Sequence, residues 1–185
     1  MFVFDRPEPF KCLVRAIFVF GLTASPGMAA LSDDDAPPAP SETTTACAEG
    51  QIFDEAQKKC VAPEGATDDQ AALYRDAREL AANGRLDEAA RVLDVMAPSD
   101  KVLTYRGFIA RKRGDWDGAV SFYEAALSAN PDNLLARSYY GMGLAAQGKT
   151  EAARAQLVQI RARGGRMSWP EWALKSALRG AVSGY

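Results

Sequence analysis

The run Gly114-Asp115-Trp116-Asp117-Gly118-Ala119-Val120-Ser121-Phe122-Tyr123-Glu124-Ala125-Ala126-Leu127-Ser128-Ala129-Asn130-Pro131-Asp132-Asn133 opens on a turn, alternates small and large apolar residues, and stops at a proline. Its spacing returns further along. The step that carries Gly114 to Gly148 also carries Ala119 to Ala153 and Tyr123 to Leu157, within Gly148-Lys149-Thr150-Glu151-Ala152-Ala153-Arg154-Ala155-Gln156-Leu157. A period of that length marks stacked helical hairpins, none of which can bury its apolar face alone. The fold class expected is therefore all-α.

Three hairpins can be laid along residues 68 to 164. The first runs from Asp68 through Leu73, Ala77 and Leu80 to Asn83-Gly84-Arg85, then through Leu86, Ala89, Val92 and Leu93 to Met96, with Pro98 at its exit. Thr67 or Asp68 suits the start as an N-cap, and Gly84 suits the left-handed residue that ends the first helix. The second carries Leu103, Gly107 and Ala110 on one helix and Ala119, Tyr123 and Ala126 on the next. Small side chains at Gly107 and Ala119 let the helices approach and leave room for Tyr123. The third repeats the plan with Tyr140-Gly141, Leu144, Gly148, Ala153, Leu157 and Ile160, ending at Gly164-Gly165. A last helix from about Trp169 to Val182 follows Ser168, with Pro170 in its first turn. Trp172, Leu174 or Ala173, Ala177, Leu178 and Val182 are expected to cover the apolar end of the third hairpin, as terminal caps must.

These residues resemble the tetratricopeptide repeat family. The resemblance implies a right-handed superhelix of about three hairpins over residues 67–165, closed by a capping helix and tail over 166–185. The chain departs from the family in three places. The step from Gly84 to Gly114 falls short of a full period, Ala77 stands where a glycine is usual, and the third hairpin lacks its closing proline.

What precedes the repeats reads differently. Arg6, Lys11 and Arg15 lead into Ala16-Ile17-Phe18-Val19-Phe20-Gly21-Leu22 and then Pro26-Gly27-Met28-Ala29-Ala30, the layout of an export signal over residues 1–30, cut after Ala29 or Ala30. The charge-free run from Ala16 to Leu31 is shorter than the roughly 20 residues a spanning helix needs, so no stable membrane span is expected after cleavage. A retained anchor is the alternative. With this leader, and with 15 Arg against 7 Lys, the location expected is the periplasm of a Gram-negative bacterium.

Residues 31–46 hold Asp33-Asp34-Asp35, Ala36-Pro37-Pro38-Ala39-Pro40 and Ser41-Glu42-Thr43-Thr44-Thr45, a composition that predicts a disordered acidic linker. Residues 47–66 carry Cys47 and Cys60, the two cysteines left once the leader is removed. An exported compartment lets them pair and close a small knob, with Ile52-Phe53 as a strand or turn against the bridge. Twelve residues separate the two sulfurs, which is not a redox CxxC spacing, and an unpaired or intermolecular thiol is the alternative.

Chemistry is narrowed by what is missing. The chain has no histidine, which removes the serine and cysteine triads, imidazole bases and the commonest metal ligand. No phosphate loop, dinucleotide fingerprint or nucleophile elbow is found. No cofactor, metal site or catalytic residue is assigned. The acid pairs Asp87-Glu88 and Asp115 with Asp117 stand at helix starts, where backbone NH groups favour negative charge. An enzyme acting on cell-wall material through such carboxylates is a distant alternative to a binding protein.

In tetratricopeptide arrays the first helices of successive hairpins line a concave groove. The resemblance places Tyr74, Arg78, Lys101, Thr104, Phe108, Arg111, Lys112, Ser138 and Met142 there, a basic set with two aromatics suited to an extended peptide or a protein carboxylate. The asparagines of the family's chaperone-tail clamp are absent from these positions. The function expected is a non-enzymatic interaction scaffold or adaptor for a protein or peptide partner, with nucleic acid disfavoured. Self-association is the second reading, the terminal helix and Tyr185 of one copy packing on the first hairpin of another. Residues 31–69 carry a net charge of −8 (2 basic, 10 acidic) and residues 70–185 carry +5 (17 basic, 12 acidic). The acidic arm is thus a candidate internal competitor for the groove.

Overall fold

The computed structural model describes Met1 and residues 36–180. The chain divides into a unit of Met1–Ala30 and a unit of Leu31–Tyr185. Apart from Met1, everything described lies in the second. The expected leader, the run Asp33-Asp34-Asp35, Val182 and Tyr185 fall outside the described residues.

Six helices form three antiparallel hairpins: α2 (Gln70–Ala82) with α3 (Leu86–Val95), α4 (Asp100–Lys112) with α5 (Trp116–Ala129), and α6 (Leu134–Ala146) with α7 (Thr150–Ala162). Side-chain caps fix the starts of α2, α4, α5 and α6. Asp69, rather than Thr67 or Asp68, accepts from the NH groups of Ala71 and Ala72, and Ser99, Asp115 and Asn133 do the same for α4, α5 and α6. The first helix of each hairpin ends two residues before a left-handed glycine, Gly84, Gly114 or Gly148, with φ between 74° and 82°.

Within the second hairpin the close approach expected at Gly107 is present. A Cβ there would lie 2.7 Å from the ring of Tyr123, which is fully buried along with Ala119 and Ala126. At Gly141, one period on, a Cβ would meet Leu174 at 2.7 Å instead. Leu174 belongs to α8 (Trp169–Leu178), which lies against both α6 and α7 and takes the place a further repeat would fill. Ser168 caps α8 and Pro170 sits in its first turn, as the sequence indicates. The covering residues are Ala173 and Leu174, both fully buried, whereas Trp172 is 55% exposed and lies beside Trp169 at 5.2 Å. Trp172 is therefore not part of the seal: it falls on the outward face of a helix whose inward stripe holds the two smaller residues.

Ahead of the array, a two-stranded antiparallel hairpin, β1 (Ile52–Asp54) and β2 (Lys59–Val61), is closed by the disulfide Cys47–Cys60. The Asp54 carboxylate accepts from the NH groups of Ala56, Gln57 and Thr67, and the Thr67 and Gln57 bonds hold its pKa well below the usual carboxylate range. Ile52 is buried with the array core, and Gly50 donates its NH to Glu88 of α3 at 2.5 Å. The knob is thus an extension of the first hairpin.

Residues 41–46 depart from the linker expected through residue 46. They form a single helical turn, α1 (Glu42–Thr45), capped by Ser41 and seated on α2. The fully buried Thr43 hydroxyl donates to Asp76 at 2.7 Å and accepts from the NH of Phe53 at 2.9 Å. Ser41 donates its NH and hydroxyl to Glu79 at 2.7 and 2.5 Å, and Thr44 donates to the same carboxylate. Composition alone predicts solvated chain here; two carboxylates on the buried side of α2 supply acceptors that composition cannot show. Among the described residues no helix is long and apolar enough to cross a membrane.

Candidate partner-binding groove

The side chains that the sequence assigns to the groove separate into a floor, a rim and a set of internal ties. Tyr74 of α2 and Phe108 of α4 are buried aromatics of the floor. Cations lie over both rings. Lys101 Nζ stands 4.8 Å and the Arg78 guanidinium 5.6 Å from the Tyr74 centroid, while Arg111 and Lys112 stand 5.3 and 5.5 Å from that of Phe108. Lys101 and Lys112 are exposed and Arg111 is half-buried, so these three form the rim. Burial, and then the Arg111 charge beside it, hold Lys112 below the usual lysine range.

Thr104 and Ser138 serve the fold. The Thr104 hydroxyl donates to the Asp100 carbonyl and accepts from Asn133, tying α4 to the start of α6. Ser138 donates to the Pro170 carbonyl at 2.8 Å and so anchors α8, with the buried Met142 sulfur next to it at 3.9 Å. Arg78 is buried and committed on two sides, to the Tyr105 hydroxyl at 3.2 Å and to the Ala36 carbonyl at 2.7 Å.

Tyr105 and Tyr139, which the sequence reading passes over, are fully buried and pack against the Tyr74 and Phe108 rings. Their hydroxyls meet at 3.3 Å, and Tyr105 stands edge-on to both Tyr74 and Tyr139. Burial, reinforced by the Tyr105 hydroxyl, raises the Tyr139 phenol well above its ordinary pKa. The available signal was the period itself, since the two tyrosines stand one repeat apart. Of the cavities that flank the first hairpin, two touch the residues above. One of about 320 Å³ is lined by Gln70, Tyr74, Met96, Pro98 and Lys101 among others. The other, of about 450 Å³, lies between Ala36–Thr43 and α2, with Arg75, Asp76, Arg78 and Glu79 on its helix side.

Three of the four acids noted at helix starts, Asp87, Glu88 and Asp115, have structural partners, Arg113 pairing with Asp87. Glu88 receives Arg85 and the Gly50 NH, which together lower its pKa, and Asp115 caps α5. One side of α2, a part of the first hairpin expected to take a second copy, carries this chain's own α1.

No curated protein and no solved structure matches the chain. A sequence model of the tetratricopeptide repeat family matches residues 110–178, from the end of α4 through α8, and repeats of this family generally mediate protein–protein interaction. The most regular part of the array is accordingly similar in sequence, as well as in its helical hairpins, to the tetratricopeptide repeats.

Proposed function

We propose that this chain is a non-enzymatic adaptor or assembly scaffold of the bacterial cell envelope. It would hold an extended segment of a partner protein along the face formed by α2, α4 and α6. The observation that carries this reading is the pairing of Lys101, Arg111 and Lys112 with the buried rings of Tyr74 and Phe108 on successive first helices. Basic side chains over aromatic floors suit a peptide that brings acidic groups and apolar contact together. Export to the periplasm is supported by the leader-like residues 1–30 and by the disulfide, which persists in oxidising compartments.

In-cell photo-crosslinking from positions 101 and 112, with the exposed Ser121 of α5 as control, tests the proposal. A discrete band containing a second protein at 101 and 112 alone is the expected result. Equal labelling from 121, or only copies of this chain, would overturn it.

A further inference from the structure

We infer that the C-terminal end of the array is a membrane-facing surface, on which Met167, Trp169 and Trp172, flanked by Arg166, Lys175 and Arg179, seat the protein on anionic lipid headgroups. The inference does not depend on what occupies the α2–α4–α6 face. Charge is strongly polarised along the described chain. Residues 36–148 carry a net charge of −5 (12 basic, 17 acidic), whereas residues 149–180, which hold α7, the turn after it and α8, carry +5 (7 basic, 2 acidic). Exposed apolar side chains gather at the same end. From Ala36 onward, four large apolar residues are exposed among the described residues, and three of them are Val158, Met167 and Trp172. Single exposed apolar residues are ordinary, but a group of them inside a basic surround marks an interaction surface.

The end is built to project. Met167 is 97% exposed at the tip of the turn before α8 and holds a φ of 64°, a left-handed conformation that costs any residue with a side chain. The turn is nonetheless pinned, because the Met167 NH donates to Glu171 at 2.7 Å and Arg161 donates to the same carboxylate at 2.6 Å. Along α8, Trp172, Lys175 and Arg179 recur at helical spacing on the side away from the buried Ala173 and Leu174, with Trp169 beside Trp172. Glu171 is already engaged by Arg161, and Arg166, Lys175 and Arg179 make no ion pair among the described residues. Indole rings settle at headgroup depth, and long basic side chains reach lipid phosphates while their stems stay in apolar surroundings. Each Lys or Arg near an anionic bilayer adds to the attraction. A projecting tip needs a surface that yields around it, which a headgroup layer supplies without a matching pocket. A second copy offering the same end would set +5 against +5.

The test is cosedimentation of the full chain, at near-physiological salt, with vesicles of phosphatidylcholine alone and of phosphatidylcholine with phosphatidylglycerol. Binding is expected to be about tenfold or more tighter on the anionic vesicles. Each basic residue should be worth about fivefold, so Arg166→Gln, Lys175→Gln and Arg179→Gln combined should weaken that binding about a hundredfold. Met167→Ser with Trp172→Ser should weaken it about tenfold. Lys58→Gln with Lys59→Gln, a charge change at the far end of the array, should alter it by less than about twofold. Circular dichroism melts check that each variant is folded. Anionic vesicles with brominated acyl chains should quench tryptophan emission, and Trp172→Phe should remove a share of the quenched signal. Equal binding to both vesicles, or none, overturns the inference. Binding that survives the variants of both sets arises elsewhere in the chain and overturns it as well. A second protein crosslinked in cells from position 172, without the vesicle preference, would replace the bilayer by a protein partner, and a band of this chain alone would replace it by self-association.

Discussion

The two ends of the array are closed by different balances of apolar and polar contact. At the C-terminal end α8 supplies Ala173 and Leu174, packed without exposure onto the notch at Gly141, while the Ser138 bond to Pro170 and the Arg161–Glu171 ion pair hold the first turn of the helix. At the N-terminal end the closure is polar and cross-linked: hydroxyls of Ser41, Thr43 and Thr44 on Asp76 and Glu79, with a disulfide-closed knob behind them. Burial of apolar area tolerates small displacements, whereas a hydrogen bond to a buried carboxylate is lost over a fraction of an ångström. The difference teaches that one stop in this chain is held mainly by shape and the other mainly by a specific set of polar partners.

Four experiments break or sharpen that contrast. Leu174→Ala should cost about 4 kcal/mol, toward the upper part of the range for a fully buried leucine, because Gly141 offers no side chain to fill the space. Urea denaturation followed by circular dichroism reads it. Replacing Cys47 and Cys60 together by Ser should cost about 3 kcal/mol on the chain-entropy account. Hydrogen exchange should then show lost protection over residues 41–66 and little change over α5 to α8. Thr43→Val should cost about 2 kcal/mol, since it strands the Asp76 carboxylate and the Phe53 NH in a buried site. Exchange at the Phe53 amide is the readout that separates this loss from a global one.

The smallest effect is the dependence on pH. Burial pushes Asp76 up to about 6 from 3.8, against the Thr43 hydrogen bond, while Glu79 and Glu55 raise it and Arg75 lowers it. A carboxyl that binds its proton more tightly when folded favours folding below its unfolded pKa, and that benefit is lost as pH rises from about 4 through about 6. Melting temperatures of the wild type and Asp76→Asn, compared at pH 4.5 and pH 7, should diverge for this reason. The wild type should lose ground to the variant as pH rises, and parallel curves would show that the polar end does not titrate through Asp76.

How much of this was legible depends on whether the determining contacts are local. The return of Gly114 at Gly148 and of Ala119 at Ala153 is a property of neighbours along the chain, so α4 to α7, the close pass at Gly107 and the burial of Tyr123 can be read directly. The first hairpin was placed despite its shorter spacing because its caps and left-handed glycine are also local. Thr104 and Ser138 look like groove residues because their helical positions match the family's. Their hydroxyls are instead taken by Asp100, Asn133 and Pro170, the last two on other helices well along the chain. The seat for α1 was hidden for the same reason. Asp76 and Glu79 read as ordinary helix-surface acids until a segment far upstream, beyond the whole disulfide knob, brings its hydroxyls to them.

The disulfide also decides how this protein answers a pull. If residues before Ala36 are held while a partner tugs on the array, tension meets the Arg78 bond to the Ala36 carbonyl first and then the bonds of Ser41–Thr44 to α2. Beyond that point the slack of a 13-residue segment, about 45 Å if drawn straight, stays locked, because Cys47 and Cys60 keep its ends 5.5 Å apart. The tether can therefore release its grip without paying out length from the knob.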